Sequence, residues 1–386
     1  MTKAPNWVLA AAVATLTLAG GAASAAEMQG DGQAWLEGKL DYEKFTVTYT
    51  GEPIKLRYAS YVAATAPLEK AMITGLKRLE TITKGKIVFE TYPGESLHPQ
   101  RQGFTAARDG IADYTACFSI YEPKSFSLTQ MLTLPFKFEN SVIGTAVFNE
   151  LYPKYFKKEF DQQGVYAGRL TVTPPYNVIG SKPLRTIADF KGVKVRLSAG
   201  IQAQIMQALG GIAVNVPSAE AYTSLQRGVV DGVAMNDPAL QTFKLHEISK
   251  YHSAVSLFAV DLEYCLGPKW FDALPADLKK VVADFMQGYA AYMAQGFYEP
   301  EGETALNAFK AKGVELIRPT KEEFAVWQKA VADIDGEYVA GLEKDGKPGK
   351  AVLADMNAAI AKYEKMDWKA IMRQAVTQPV QGIVGK

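Results

Sequence analysis

The stretch Leu184-Arg185-Thr186-Ile187-Ala188-Asp189-Phe190-Lys191-Gly192-Val193-Lys194-Val195-Arg196-Leu197 contains a turn, Asp189 to Gly192. A short strand follows, Val193 to Leu197, that delivers Arg196 near its end. In an open α/β sheet, ligands bind outside the carboxyl ends of the strands. Arg196 is therefore placed where a planar guanidinium fork can take a carboxylate. A surface arginine paired with an acid has the same appearance in sequence.

Outward from that strand, strand and helix alternate from about Ile54 to Asn236, which predicts parallel sheets in an α/β fold. Ile54 to Ser60, Ile87 to Tyr92, Ala112 to Ile120, Val165 to Val172 and Ile212 to Val216 read as strands. Pro67 to Thr83 reads as a helix with Leu68, Met72, Leu76 and Leu79 on one stripe. Ser218 reads as the cap of a helix running to Gln226. From Pro275 onward the pattern is helical, with no strand expected, and Thr320 with Glu323 reads as a capping box. A chain of 386 residues is expected to form two lobes. No Gly/Ser-rich linker separates them, so the lobes should be joined by strand crossovers. The expected division is residues 26–173 plus about 256–300 in lobe I, and 174–255 plus about 301–386 in lobe II.

The amino terminus has Lys3, an apolar run from Trp7 to Leu18, and Ala23-Ser24-Ala25, which reads as a cleaved export signal over residues 1–25. The mature protein is expected to be soluble, exported to the periplasm and monomeric. The chain carries 42 Lys+Arg against 41 Asp+Glu with no basic block, so nucleic acid is not an expected partner. Cys117 and Cys265 are permitted a disulfide by export, and two buried thiols are equally allowed. His98, His246 and His252 show no metal-ligand spacing and read as surface or capping residues. No Gly-x-Ser-x-Gly elbow, Walker loop or Gly-x-Gly-x-x-Gly occurs. No catalytic residue, cofactor or metal is predicted, and the chain is not expected to be an enzyme.

Asp189 through Arg196, Leu209-Gly210-Gly211, and Glu220-Ala221-Tyr222 through Asp231-Gly232 together resemble the signature of the substrate-binding proteins of TRAP transporters, the tripartite ATP-independent periplasmic systems. Gly110-Ile111-Ala112-Asp113, Leu134-Pro135-Phe136, and Trp270 with Leu274-Pro275 extend the resemblance over roughly residues 54–310. Residues 27–53 look like an extension. The resemblance implies a two-lobed binding protein that closes on its ligand like a flytrap, and a permease of integral membrane subunits as partner. It implies that Arg196 clamps a carboxylate, with Asn236 or Met235 beside it; Asn236 is favoured because an amide can donate. Sialic-acid-binding members place charged residues near positions 118, 121 and 176, where this chain has Phe118, Tyr121 and Tyr176. A small monocarboxylate with an aromatic or apolar body is therefore the expected ligand, with Arg101 and Ser218 as further candidate contacts. A C4-dicarboxylate or keto acid is the alternative, as is a periplasmic enzyme or ligand sensor on the same scaffold.

Overall fold

The computed structural model describes residues 30–385; the predicted export signal lies outside them. Ahead of the first strand, the helix Gly32–Leu36 buries Trp35 against the rings of Tyr292 and Tyr289. The backbone N–H groups of Thr48 and Tyr49 donate to Asp277. The extension is thereby strapped onto the long helix Ala276–Tyr292.

The chain then forms β1 (Ile54–Ala59), β2 (Ile87–Tyr92), β3 (Tyr114–Ala116) and β4 (Tyr166–Val172). Residues 173–176 leave this sheet. β5 (Asn177–Gly180), β6 (Lys194–Leu197), β7 (Ile212–Asn215), β8 (Gly232–Met235) and β9 (Tyr251–Ser253) belong to a second sheet. Residues 254–260 return to the first, where β10 (Asp261–Leu266) inserts between β3 and β4. The first sheet has the order β2-β1-β3-β10-β4.

The expectation of parallel sheets needs correction. β10 is antiparallel to β3 and β4, and β5 is antiparallel to β8 and β9. The reason is geometric. β5 and β10 are the two strands entered directly from a crossover, so each starts at the edge facing the other sheet and runs away from it. The crossovers are themselves paired: Thr173 N–H donates to Val260 O at 2.8 Å, and Tyr176 N–H to Phe258 O at 2.7 Å. All remaining strands of the first sheet share one direction, as do β6, β7 and β8 in the second.

The tail departs from expectation twice. Among its helices lies a strand, β11 (Glu315–Ile317), which pairs parallel with β9 and completes the second sheet in the order β11-β9-β5-β8-β6-β7. Three residues are too few to show an alternating pattern, so it was not legible. Nor does the tail from about 301 stay with lobe II. Lys321–Ala330 packs there, Trp327 meeting Phe190 edge-on at 5.7 Å. Gly349–Tyr363 and Trp368–Thr377 return to the first lobe, where Tyr363 donates to Glu150 at 2.6 Å and Gln287 exchanges two hydrogen bonds with the Val380 backbone. The apolar stripes of these helices mark a buried face without saying which lobe supplies the partner. Thr320 does cap its helix, accepting from Glu323 N–H at 3.2 Å.

Cys117 and Cys265 form a disulfide with Cα atoms 5.8 Å apart, tying the segment after β3 to β10. Replacing both by alanine is expected to lower the unfolding free energy by about 2–4 kcal/mol, read from urea unfolding of the mature protein. A midpoint indistinguishable from wild type would show that the β3–β10 pairing needs no bridge.

Candidate functional site

Because the parallel strands of both sheets end at the gap between the lobes, residues at their carboxyl ends converge there. Arg196 leaves β6, Met235 and Asn236 end β8, and Phe118 follows β3. Tyr176 sits on the first crossover, its ring 5.3 Å from Phe258 of the second. Phe118, Tyr121, Tyr176, Ser218, Met235 and Asn236 line one cleft.

Arg196 is 1% exposed and makes no ion pair among the described residues. The surface-arginine alternative therefore does not describe it. Nε donates to the Val216 carbonyl at 2.8 Å, and Nη2 to Ser218 Oγ at 3.0 Å and Tyr121 Oη at 3.4 Å. These partners are neutral and orient the fork without cancelling its charge, as a carboxylate clamp requires. Ser218 is thus not the side-chain cap read from sequence: it opens a 3-10 turn, Ser218–Glu220, Glu220 stands at the cap of the helix Ala221–Gln226, and the Ser218 hydroxyl turns to Arg196 and Tyr121. Asn236 accepts from Ala239 N–H through Oδ1 at 3.0 Å, capping Asp237–Thr242. With its oxygen engaged, Asn236 has its Nδ2 donors to offer the cleft.

Arg101 stands at the rim. Its guanidinium lies 4.7 Å from the Tyr121 ring centre, and Nη2 donates to Asn215 Oδ1 of the opposite sheet at 3.1 Å. With Tyr121 and Ser218, it links the two lobes across the mouth.

The cleft wall also includes residues that sequence reasoning missed, among them Tyr61, Thr242, Phe243, Leu262, Phe297 and Tyr298. They come from distant segments, and nothing in their local patterns separates them from ordinary core. Phe118 meets Tyr61 edge-on at 5.1 Å, and Tyr61 stacks on Phe243 at 6.3 Å. Burial raises the phenol pKa of Tyr176 despite the opposing pull of Arg196, so the ring stays neutral. No Asp, Glu, Lys or Arg lines this cavity among the described residues. His246 and His252, read as surface or capping residues, are buried; His252 pairs with Asp237 at 2.7 Å. No group of three potential metal ligands exists among the described residues.

Residues 58–340 match the family described as bacterial extracellular solute-binding protein, family 7. The chain belongs to this family. A C4-dicarboxylate-binding periplasmic protein, DctP, from Rhodobacter capsulatus is 25% identical over 320 residues, covering 82% of this chain and 94% of the relative. A TRAP solute-binding protein of Rhodoferax ferrireducens, solved with copurified benzoate, superposes with a TM-score of 0.77 at 22% identity. That match covers 81% of this chain and 99% of the other. A marine-metagenome TRAP protein specific for aromatic acids, solved with 3-hydroxybenzoate, gives 0.76 at 19% identity, covering 82% and 100%. The chain is thus an extracellular solute-binding protein of family 7, and the solved proteins that share its fold are TRAP solute-binding proteins. No helix among the described residues is long and apolar enough to cross a membrane.

Two largely buried acids, Glu69 and Glu299, adjoin the cleft-lining residues Leu68 and Tyr298. Glu69, next to the cleft-lining Leu68, accepts from Ser60 Oγ at 2.6 Å and Tyr58 Oη at 3.1 Å; burial pushes its pKa from 4.5 to about 7. Burial does the same to Glu299, which accepts from Ser141 N–H at 2.6 Å. Between pH 4.5 and about 7 the unfolded chain has released these protons while the native chain retains them. Stability must therefore fall as pH rises through that window and level off above it. Urea midpoints of the mature protein should be lower at pH 8 than at pH 5, and Glu69→Gln and Glu299→Gln should each shrink the difference. A difference unaltered in both variants would refute the assignment.

Proposed function

We propose that the cleft captures one small monocarboxylate with an aromatic or bulky apolar body and hands it to the permease. The observation that carries this reading is a buried arginine without an acid partner beside a cavity lined only by uncharged side chains. Arg196 takes the carboxylate, Asn236 Nδ2 donates to it, and Phe118, Tyr121, Tyr176 and Met235 hold the body. A second carboxylate in the ring-lined part would be buried without a counter-charge, which costs far more than the cavity can return. An aromatic ring there gains about 1.5–3 kcal/mol by burial. The benzoate and 3-hydroxybenzoate carried by proteins of the same fold support this choice, and the name of the Rhodobacter relative supports the dicarboxylate.

Breaking a buried charge pair costs about 2–5 kcal/mol, so Arg196→Ala should weaken binding by roughly thirtyfold to several thousandfold. Arg196→Lys should also bind poorly, because a point charge lacks the fork. Binding within twofold of wild type by a folded Arg196→Ala would end the assignment. Calorimetry at one pH should rank aromatic or branched monocarboxylates above succinate, malate and sialic acid. The reverse ranking would return the site to polar or doubly charged acids.

The protein acts as a monomer whose lobes close by bending at residues 173–176 and 254–260. Small-angle scattering should show a smaller radius of gyration with saturating benzoate. An unchanged profile in a sample shown by calorimetry to be saturated would argue against hinge closure.

A further inference from the structure

The helix Asp237–Thr242 starts at its cap, Asn236, and ends at Thr242. Pro238, Ala239 and Thr242 all line the cleft. Spacings of three and four residues place them on one face of the helix. The helix therefore runs along the cleft wall, with Asn236 at one end and Thr242 at the other. At 1.5 Å per residue those ends are about 9 Å apart. Next to Thr242, Phe243 stacks on Tyr61 of the first lobe, so the two lobes meet at this end as well.

Thr242 is 7% exposed, and its hydroxyl has no hydrogen-bond partner. A helical threonine has an acceptor at hand, the carbonyl four residues back. Thr74 and Thr81 use it, and so does Thr377, which ends its helix as Thr242 does and donates to Arg373 O at 2.8 Å. Thr242 forgoes that bond and keeps its hydroxyl unpaired on the cleft face. A buried hydroxyl without a partner costs free energy that a ligand oxygen restores. The chemistry of that oxygen is set by the surroundings. No Asp, Glu, Lys or Arg lines the cleft among the described residues, so a second carboxylate at this end has no counter-charge. A neutral hydroxyl can both donate to Thr242 and accept from it.

We propose that Thr242 is a specificity-determining residue that hydrogen-bonds a hydroxyl on the ligand's ring, at the end opposite the carboxylate. This rests on the reading of Arg196 and Asn236 as the carboxylate end of the cleft. It narrows the ligand to aromatic acids with a distal hydroxyl, of which 4-hydroxybenzoate is the simplest. A ring substituted at its far end follows the line from Asn236 to Thr242, and a 2-hydroxyl points away from it.

The test is calorimetry of the mature protein with benzoate and with 2-, 3- and 4-hydroxybenzoate. The 4-isomer should bind about fivefold or more tightly than benzoate, the effect of one neutral hydrogen bond, and more tightly than the other isomers. Thr242→Val keeps the shape and removes the hydroxyl: the ratio should fall to near one while benzoate binds as before. Thr242→Ser, which keeps the hydroxyl, should retain the preference. A threonine that only packs would change the affinity for all four acids alike and leave the ratio unaltered. A wild type that binds the 4-isomer no better than benzoate, or that favours the 2-isomer, overturns the proposal whether or not the variants fold. A preference that persists in Thr242→Val overturns it too, and Thr242→Ala gives the same reading if the valine variant does not fold. Failure of all four acids to bind, or binding indifferent to Arg196→Ala, would overturn the underlying carboxylate reading and this proposal with it.

Discussion

Each direct passage of the chain between the two sheets reverses the sense of the strand it enters, and the functional geometry depends on that constraint. β5 and β10 begin at the gap and run away from it, and β3, β6 and β8 end at it. Side chains that are far apart in sequence are therefore delivered to one place: Phe118, Arg196, and Met235 with Asn236. The two crossovers are hydrogen-bonded to each other and carry Tyr176 between them. In the proposed closure, bending at these crossovers would move a side chain of the cleft wall.

The electrostatic design follows from what surrounds the arginine. Backbone and hydroxyl oxygens position Arg196 without neutralising it, so its charge is left for an incoming anion. An acid in the wall would compete with that anion, and the acids nearest the cleft are handled in two ways. Burial keeps Glu69 and Glu299 protonated up to about pH 7. Asp261 and Glu263 lie on the far face of β10, where Ser119 and Thr133 supply donors. Burial that is costly for a carboxylate thus keeps the site attractive to a ligand's carboxylate.

Much of the candidate site could be read from sequence because its parts sit at ends of recognisable strands. The run Asp189 to Leu197 predicts a turn, a strand and a terminal arginine, and each is found. Ser218 was legible as a site residue and misread as a cap, because its hydroxyl finds the guanidinium of a strand twenty-two residues earlier in place of its own helix end. Tyr61, Phe243 and Tyr298 were not legible, since an aromatic facing a cleft and one facing a core have the same local pattern.

The sequence by itself determined the α/β class, the strand that carries Arg196, the family and the absence of familiar catalytic motifs. These follow from short-range periodicity and motif spacing. Only the tertiary structure decided strand direction at the crossovers, the Cys117–Cys265 bridge, the return of the tail to the first lobe, and the neutral hydrogen-bond partners of the buried Arg196. Each of these depends on which surfaces meet across long sequence separations. A helical stripe or a lone arginine specifies that it must be buried or satisfied, and leaves open by what.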